Sequence, residues 1–221
     1  MSPVLYHHAL SPSSRTALLT LRNVDLDEFE VKNIDINADE KYTVDYLKIN
    51  PSNQVPVYVD DDFILTDSRA IACYLASSVN RFYPTDLRKR ALVDSRLFFD
   101  ATNTSVRDFV FPVLRGEVKK IESDRREAIK DFLKILESFL IKSEFFAGDE
   151  VTIADFSYLA NVATIKAWGV SFDEYPKLNS WYNRCKDLPG FSENKKGAQL
   201  LSKKMSILLD EPLWKKKKSS V

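Results

Sequence analysis

The order of apolar and polar residues divides the chain into two parts of different character. Up to residue 81, short apolar runs alternate with helical patterns, whereas from Leu87 onward the pattern is almost wholly helical. In the first part, residues 29–36 alternate apolar and polar side chains, which is typical of a half-buried strand. Residues 82–86 form the predicted linker, and the predicted units are residues 1–81 and 87–221.

The first unit is predicted to contain four strands and three helices. A strand, a helix and a strand in succession form a right-handed crossover between parallel strands, and an acidic turn at residues 60–62 joins the last two strands as a hairpin. The predicted strands are 3–6, 29–36, 57–59 and 63–65, and the predicted helices are 14–23, 44–48 and one that begins at 67. The predicted fold class is therefore an α/β domain of order βαβ, helix, ββα, followed by an all-α domain.

Two amphipathic helices are expected to begin the core of the second unit. The first is predicted to carry an apolar stripe that begins with Leu92, Leu97 and Phe98. We expect Pro112 to bend or break this helix, because proline has no amide hydrogen and clashes with the preceding turn. The second stripe repeats at steps of three and four residues and consists of Ile129, Phe132, Leu133, Leu136 and Leu140.

Composition and charge narrow the classes of protein that fit. The chain has 221 residues, of which 44% are hydrophobic, and its 32 basic residues balance its 32 acidic ones. This balance predicts no nucleic-acid partner and no membrane partner. No apolar run approaches the roughly 20 residues that cross a bilayer, and no signal peptide is evident. Two cysteines far apart predict neither a disulfide framework nor a metal site. The expectation is a cytoplasmic protein.

The stretch from Ser11 to Arg15 is the strongest candidate for chemistry. It joins an apolar strand pattern to a helical one, and the first amides of a helix favour an anion there. The Ser11 hydroxyl can donate a hydrogen bond to such an anion, or it can simply cap the helix. Ser13 and Ser14 are reserve donors, while His7 and His8 beside the turn are expected to be solvated.

Three motifs fall on predicted turns of the first unit. They are Ser-Pro-Ser-Ser-Arg at 11–15, Asn-Pro-Ser-Asn-Gln-Val-Pro at 50–56 and Thr-Asp-Ser-Arg-Ala-Ile at 66–71, with further matches at 90–100 and 146–155. With the order of elements, they resemble the cytosolic glutathione transferases, and in particular the serine-type delta and epsilon classes of insects. The resemblance covers nearly the whole chain. It implies a thioredoxin-like glutathione-binding domain and an all-helical domain that lines a hydrophobic substrate site.

The resemblance also assigns roles to individual residues. It implies a cis bond before Pro56, which lets the backbone of Val55 pair with the glutathione peptide, and γ-glutamyl binding by Asp67 and Ser68. Lys41 and Asn53 stand where delta-class members commonly carry histidines that contact the glycyl carboxylate, so the strength of binding at that end stays open. The full set predicted to bind glutathione is Lys41, Asn53, Gln54, Val55, Pro56, Asp67, Ser68 and Arg69. Arg69 is alternatively an exposed residue.

By the same resemblance, Ser11 is the catalytic residue that stabilises the glutathione thiolate. Tyr6 is the rival donor, because other classes use a tyrosine near the end of the first strand. The predicted walls of the substrate pocket are Leu10, Pro12, Thr104, Arg107, Asp108, Phe111, Leu208 and Trp214. Arg107 and Asp108 either face the substrate or form a local salt bridge.

The implied function is glutathione transfer to hydrophobic electrophiles, as in detoxification. The alternatives are a glutathione-dependent isomerase or peroxidase, a weakly catalytic carrier of hydrophobic ligands, and a scaffold. Glutathione is the expected co-substrate and no metal is expected. The family also implies a homodimer, for which Tyr83 and Phe99 are candidate contacts.

Overall fold

In the residues that the structure describes, the first unit of the computed structural model is a four-stranded mixed sheet with three helices. The structure describes residues 2–26, 28–34 and 44–214, with the backbone alone described at 44 and 45. The strands are β1 (Val4–His7), β2 (Glu30–Asn33), β3 (Val57–Asp60) and β4 (Phe63–Thr66), and the helices are α1 (Pro12–Asn23), α2 (Val44–Ile49) and α3 (Ser68–Ser78). The strand order is β2-β1-β3-β4, with β1 parallel to β2 and the other neighbours antiparallel. The predicted order of elements is confirmed.

Helix α1 begins two residues earlier than the sequence pattern indicates. Pro12 occupies its first turn, where a missing amide hydrogen costs nothing, and Ser11 is its N-cap. Strand β2 is shorter than the predicted strand at 29–36, and only part of that stretch lies within the described residues. The start of α1 therefore lies directly after the turn that leaves β1.

The second unit is helical, as predicted. Its helices are α4 (Leu87–Thr102), α5 (Ser105–Leu114), α6 (Ser123–Phe139), α7 (Ile153–Ala167), α8 (Pro176–Arg184) and α9 (Phe191–Leu208), with a short 3-10 turn at Cys185–Asp187. Helix α7 is buried along nearly its whole length and packs against α1, α4 and α9. All five residues of the stripe predicted between Ile129 and Leu140 are buried. No described helix has the length and apolar character needed to cross a membrane.

The predicted stripe and break of the first long helix are wrong in detail. Leu97 is buried as predicted, but Leu92 and Phe98 are 39% and 69% exposed, because α4 turns Val93 and Asp100 inward together with Leu97. Helix α4 ends before Asn103, whose side-chain oxygen accepts a hydrogen bond from the Ser105 amide at 3.2 Å. Pro112 lies inside the separate helix α5, near its end, so it is not what ends α4.

Buried polar side chains join the units at Arg15 and at Asp100. The guanidinium of Arg15 on α1 donates to the main-chain and side-chain oxygens of Asn194 at 3.1 and 2.7 Å, and to the Thr164 hydroxyl. Arg69 on α3 pairs with the buried Asp100 on α4. The helices that begin at the candidate site are therefore fixed against the helical unit.

Candidate functional site

The Ser11 side chain lies at the junction of β1 and α1. Its Oγ accepts a hydrogen bond from the Ser14 amide at 3.2 Å, so the capping interpretation is correct. A hydroxyl that accepts one hydrogen bond still has a proton to donate. Capping and donation to an anion at the start of α1 are therefore compatible.

The neighbouring serines and histidines are placed differently from one another. Ser13 lines a surface cleft, whereas Ser14 is fully buried, so only Ser13 is available as a reserve donor. His7 is 3% exposed, and its Nδ1 lies 3.3 Å from the Ser14 carbonyl oxygen. The expectation that His7 is solvated is wrong, because it lies at the buried end of β1. Burial lowers the pKa of His7 to about 4, which keeps the ring neutral near pH 7.

A tightly bonded loop leads to the cis peptide bond between Val55 and Pro56. The main-chain oxygen of Gln54 accepts hydrogen bonds from the Tyr46 hydroxyl at 2.6 Å and the Asn50 amide group at 2.8 Å. The Asn50 side-chain oxygen in turn accepts from the amide and the hydroxyl of Ser52. Because these bonds are local, the loop presents Val55 and Gln54 in a fixed geometry.

The start of α3 presents an acid and a hydroxyl side by side. Asp67 caps the helix through Oδ1, which accepts from the amides of Arg69 and Ala70 at 2.8 and 3.1 Å. Its φ of 68° is unusual for a residue other than glycine, and such backbone is common at ligand sites. Ser68 is buried, and its hydroxyl has no hydrogen-bond partner within the part of the chain that the structure describes.

These elements meet in one open cleft of about 160 Å³. Five predicted glutathione-binding residues line it: Gln54, Val55, Pro56, Asp67 and Ser68. The reserve donor Ser13 also lines it, as do three polar residues that were not predicted individually: Asn50, Ser52 and Thr66. Asn50 and Ser52 belong to the motif at 50–56, which was the available signal for them. Thr66 is the first residue of the motif at 66–71, which was the corresponding signal for it. Ser11 stands two residues from Ser13, beside the lining rather than within it.

Of the three other predicted glutathione-binding residues, Asn53 and Arg69 are not part of this lining. Lys41 falls outside the described residues. Asn53 adopts a left-handed conformation with φ of 55°, and its amide donates to the Asn50 carbonyl at 3.0 Å. The Arg69 guanidinium points to Asp100 and is neither freely exposed nor in the lining, so a ligand contact of Arg69 stays a prediction.

The predicted walls of the substrate pocket are spread over both units. Arg107 and Asp108 form a local salt bridge at 3.3 Å on the surface, and the Thr104 hydroxyl donates to Asp108. Phe111 is 46% exposed and lies under the Arg115 guanidinium. Leu10, Leu208 and Trp214 are half-buried against the helical core, and Pro12 forms the first turn of α1.

Other candidate groups have structural roles. Asp155 is fully buried and accepts hydrogen bonds from the amides of Thr152 and Phe146 and from the Trp181 indole. It forms a capping box with Thr152 at the start of α7. Cys73 and Cys185 are free thiols, and burial raises the pKa of both. Within the described ranges, no cluster of histidine, cysteine and acidic residues is suited to hold a metal ion.

The fold consists of a thioredoxin-like unit, which carries the cleft, and a helical unit, and each unit matches a known protein family. Residues 1–77 match the family "Glutathione S-transferase, N-terminal domain", and residues 104–194 match "Glutathione S-transferase, C-terminal domain". The chain is 33% identical to Glutathione S-transferase 1 of Manduca sexta over 201 residues, which are 85% of this chain and 89% of that protein. The chain therefore belongs to the glutathione S-transferase family.

Solved structures of insect relatives extend this result to the whole fold. A delta-class glutathione transferase of Nilaparvata lugens is 32% identical, with a TM-score of 0.88 over 93% of this chain and 99% of that one. An epsilon-class enzyme of the housefly Musca domestica is 34% identical, with a TM-score of 0.86 over 94% and 97%. The resemblance to the insect delta and epsilon classes is confirmed.

Proposed function

We propose that this chain is a glutathione transferase that ionises the glutathione thiol at Ser11 for attack on hydrophobic electrophiles. The observation that carries the proposal is the single cleft between the first turn of α1, the cis-Pro56 loop and the start of α3. One end of the cleft suits a zwitterionic amino acid, and the other lies beside the Ser11 hydroxyl at the N-terminus of α1, which suits an anion. Glutathione has a zwitterionic γ-glutamyl end and a thiol that can ionise.

The γ-glutamyl end of glutathione is proposed to bind at the start of α3. Both capping bonds of Asp67 use Oδ1, which leaves Oδ2 for the ligand's ammonium group. The Ser68 hydroxyl lies in the lining and can donate to the ligand's carboxylate. The backbone of Val55 is proposed to pair with the cysteinyl residue as a strand edge does. Lys41 and Asn53 are proposed for the glycyl end.

Ser11 is proposed to hold the thiolate. A free thiol has a pKa of about 8.5, so it is mostly protonated at neutral pH. A hydrogen bond to a charged acceptor is worth about 1.5–3 kcal/mol, which lowers a pKa by roughly one to two units. The partial positive charge at the start of α1 acts in the same direction. The neutral His7 adds no charge.

The electrophile is proposed to lie between Ser11 and the first helices of the second unit, near Leu10, Phe111 and Trp214. A glutathione-dependent isomerase or peroxidase would use the same thiolate, and a carrier would bind without turnover. The intact set of Ser11, Val55, Asp67 and Ser68 favours an enzyme, since a carrier or scaffold has no need of all of them.

The test replaces Ser11 by alanine and by threonine. Ser11→Ala should raise the pKa of bound glutathione by roughly one to two units and lower turnover of an aryl halide near neutral pH about 10- to 100-fold. Ser11→Thr keeps the hydroxyl and the cap and should retain activity, and Ser13→Ala is the matched control. An unchanged thiol pKa and unchanged turnover in Ser11→Ala would refute the mechanism. Retention on immobilised glutathione without turnover in the unmodified chain would indicate a carrier.

We also propose a cytoplasmic homodimer, as in the family to which the chain belongs. Phe99 packs against Phe132 and Phe139 of its own chain, so it is not favoured as a dimer contact. Exposed apolar side chains instead cluster on β4 and α3, where Phe63 and Tyr74 rings lie 4.9 Å apart. Light scattering of the chain and of a Phe63→Ser variant tests this face.

A further inference from the structure

The Arg15 side chain is a buried cation that is bonded to neutral groups. It is 1% exposed, and its guanidinium donates to the main-chain and side-chain oxygens of Asn194 and to the Thr164 hydroxyl. Within the part of the chain that the structure describes, no carboxylate forms an ion pair with Arg15, and its Nε has no hydrogen-bond partner. Burial lowers the pKa of Arg15 to about 9, so the side chain still carries its charge near pH 7.

This charge lies near the start of α1, on the same helix as Ser11. Arg15 follows Ser11 by four residues, which is about 6 Å along a helix axis. A Cβ added to Gly197 would lie 2.6 Å from the Arg15 Cδ and 2.5 Å from the Ala9 carbonyl oxygen, so both atoms lie beside one point of α9. The Arg15 side chain therefore passes close to the residues that immediately precede Ser11.

Two titratable groups near Arg15 are neutral at pH 7. On β1, burial and, to a smaller extent, the charges of His8 and Arg15 lower the pKa of His7 to about 4. The field of Arg15 therefore reaches the strand that leads to Ser11. On α8, burial raises the pKa of the Tyr182 phenol to about 12. Neither group supplies a negative charge that would cancel the positive charge of the guanidinium.

The charged groups on the elements around α1 have partners of their own. Glu193 of α9 accepts two hydrogen bonds of 3.0 Å from the Arg22 guanidinium, which belongs to the last turn of α1. Asp67 accepts hydrogen bonds from the first amides of α3, and Asp100 of α4 pairs with Arg69. The first turn of α1 itself contains no acidic residue. The start of α1 therefore combines the helix dipole with a buried positive charge.

We propose that the buried charge of Arg15 stabilises the glutathione thiolate from inside the protein, without contact with the ligand. The inference rests on the proposed function and adds a second source of positive potential to the Ser11 hydroxyl. Two unit charges roughly 10 Å apart, at an effective dielectric constant of about 20, interact strongly enough to shift a pKa by about one unit. A positive charge favours the ionised thiol, so the shift is downward. Because Arg15 is buried, salt should screen this effect only weakly.

The test gives Arg15 a counter-ion. Asn194→Asp keeps the shape of the acceptor that lies 2.7 Å from the guanidinium and adds a negative charge there. The thiol pKa of bound glutathione should then rise by about one unit, measured by ultraviolet absorbance of the thiolate and by the pH profile of turnover at saturating glutathione. Turnover of an aryl halide should fall up to about tenfold below that pKa and stay unchanged well above it. Asn194 does not line the cleft, so glutathione should still bind.

Asn194→Ala is the matched control. Both variants lose the hydrogen bond of 3.2 Å from the Asn194 amide group to the Leu159 carbonyl, but only Asn194→Asp adds a charge. Asn194→Ala and Thr164→Val should therefore lower the melting temperature and leave the thiol pKa unchanged. Arg15→Lys keeps the charge and should keep the low thiol pKa, whereas Arg15→Met should raise it. If Arg15→Met does not fold, the two Asn194 variants decide the question.

Equal thiol pKa values in Asn194→Asp and Asn194→Ala would overturn the proposal, because the effect would then not follow the charge. The unmodified chain distinguishes this result from a failure of the proposed function. If its bound thiol ionises at the ordinary pKa of about 8.5, the Ser11 mechanism and the role of Arg15 are both refuted. If the thiol pKa is low and responds to Ser11→Ala but not to Asn194→Asp, only the role of Arg15 is refuted.

Discussion

The pair formed by Arg69 and Asp100 offers a direct measure of how strongly the two units are joined. Asp100 is 3% exposed, and its Oδ2 accepts hydrogen bonds from the Arg69 guanidinium and from the Ser157 hydroxyl at 2.6 Å. Its Oδ1 accepts from the Asn161 side chain at 2.8 Å. Replacement of Asp100 by asparagine preserves the shape but removes the charge and sets a donor against the guanidinium.

The expected cost of Asp100→Asn is about 3 kcal/mol of unfolding free energy. Breaking a buried ion pair from one side costs roughly 3–5 kcal/mol. The lower value applies because the Arg69 side chain is 20% exposed and keeps some access to water. Urea unfolding followed by circular dichroism measures this difference.

A double-mutant cycle separates the pair from the rest of the cluster. Arg69→Met removes the charge and keeps the length of the side chain, so the double variant should be more stable than the sum of the single losses indicates, by roughly 1–3 kcal/mol. Glu127→Gln, which breaks the exposed pair with Lys130, is the control and should cost less than about 1 kcal/mol. Additive losses within roughly 0.5 kcal/mol would refute the view that Asp100 acts mainly through Arg69.

Three further outcomes follow from buried groups. The pKa of His7 falls from 6.5 to about 4 on folding, so the free energy of unfolding should decrease by about 3 kcal/mol as pH falls through that range. Acid titration of His7→Gln should not show this decrease. Gly197→Ala should lower the melting temperature, since the added Cβ would lie 2.6 Å from the Arg15 side chain, and overpacking costs about 1–3 kcal/mol; an unchanged or higher temperature would contradict the packing. Asp155→Ala should cost at least about 3 kcal/mol in urea, because several buried donors lose their acceptor together, whereas a loss below 1 kcal/mol would show that water replaces the carboxylate.

The capping signals at the start of each helix in the site were readable from the sequence, although the apolar pattern put the start of α1 two residues too late. Ser11 before Pro12 gives both a cap and a first-turn residue, and Asp67 before Ser68 marks the start of α3 in the same way. Such capping signals involve only three or four neighbouring residues, so they can be recognised without knowledge of the rest of the fold. The stripe between Ile129 and Leu140 was readable for a similar reason, since its period lies within one helix.

Contacts between distant segments were not readable. The partner of Arg69 lies 31 residues further along the chain, and nothing near Arg69 indicates it. Leu92 and Phe98 misled the interpretation of α4 because exposed apolar residues and core residues look alike in a sequence. The burial of His7 was not readable either, because the sequence shows only a histidine after a short strand.

The first turn of α1 serves both halves of the molecule. Ser11 starts the helix on the cleft side, and Arg15, four residues later, is enclosed by side chains of α7 and α9. Leu19 on the same helix belongs to the hydrophobic core of the helical unit. A chimera that joins this N-terminal half to the C-terminal half of a relative would have to carry over the residues equivalent to Thr164 and Asn194. Otherwise the chimera would bury the Arg15 guanidinium without its hydrogen-bond acceptors. The resulting shift of α1 would also disturb Ser11, one turn away.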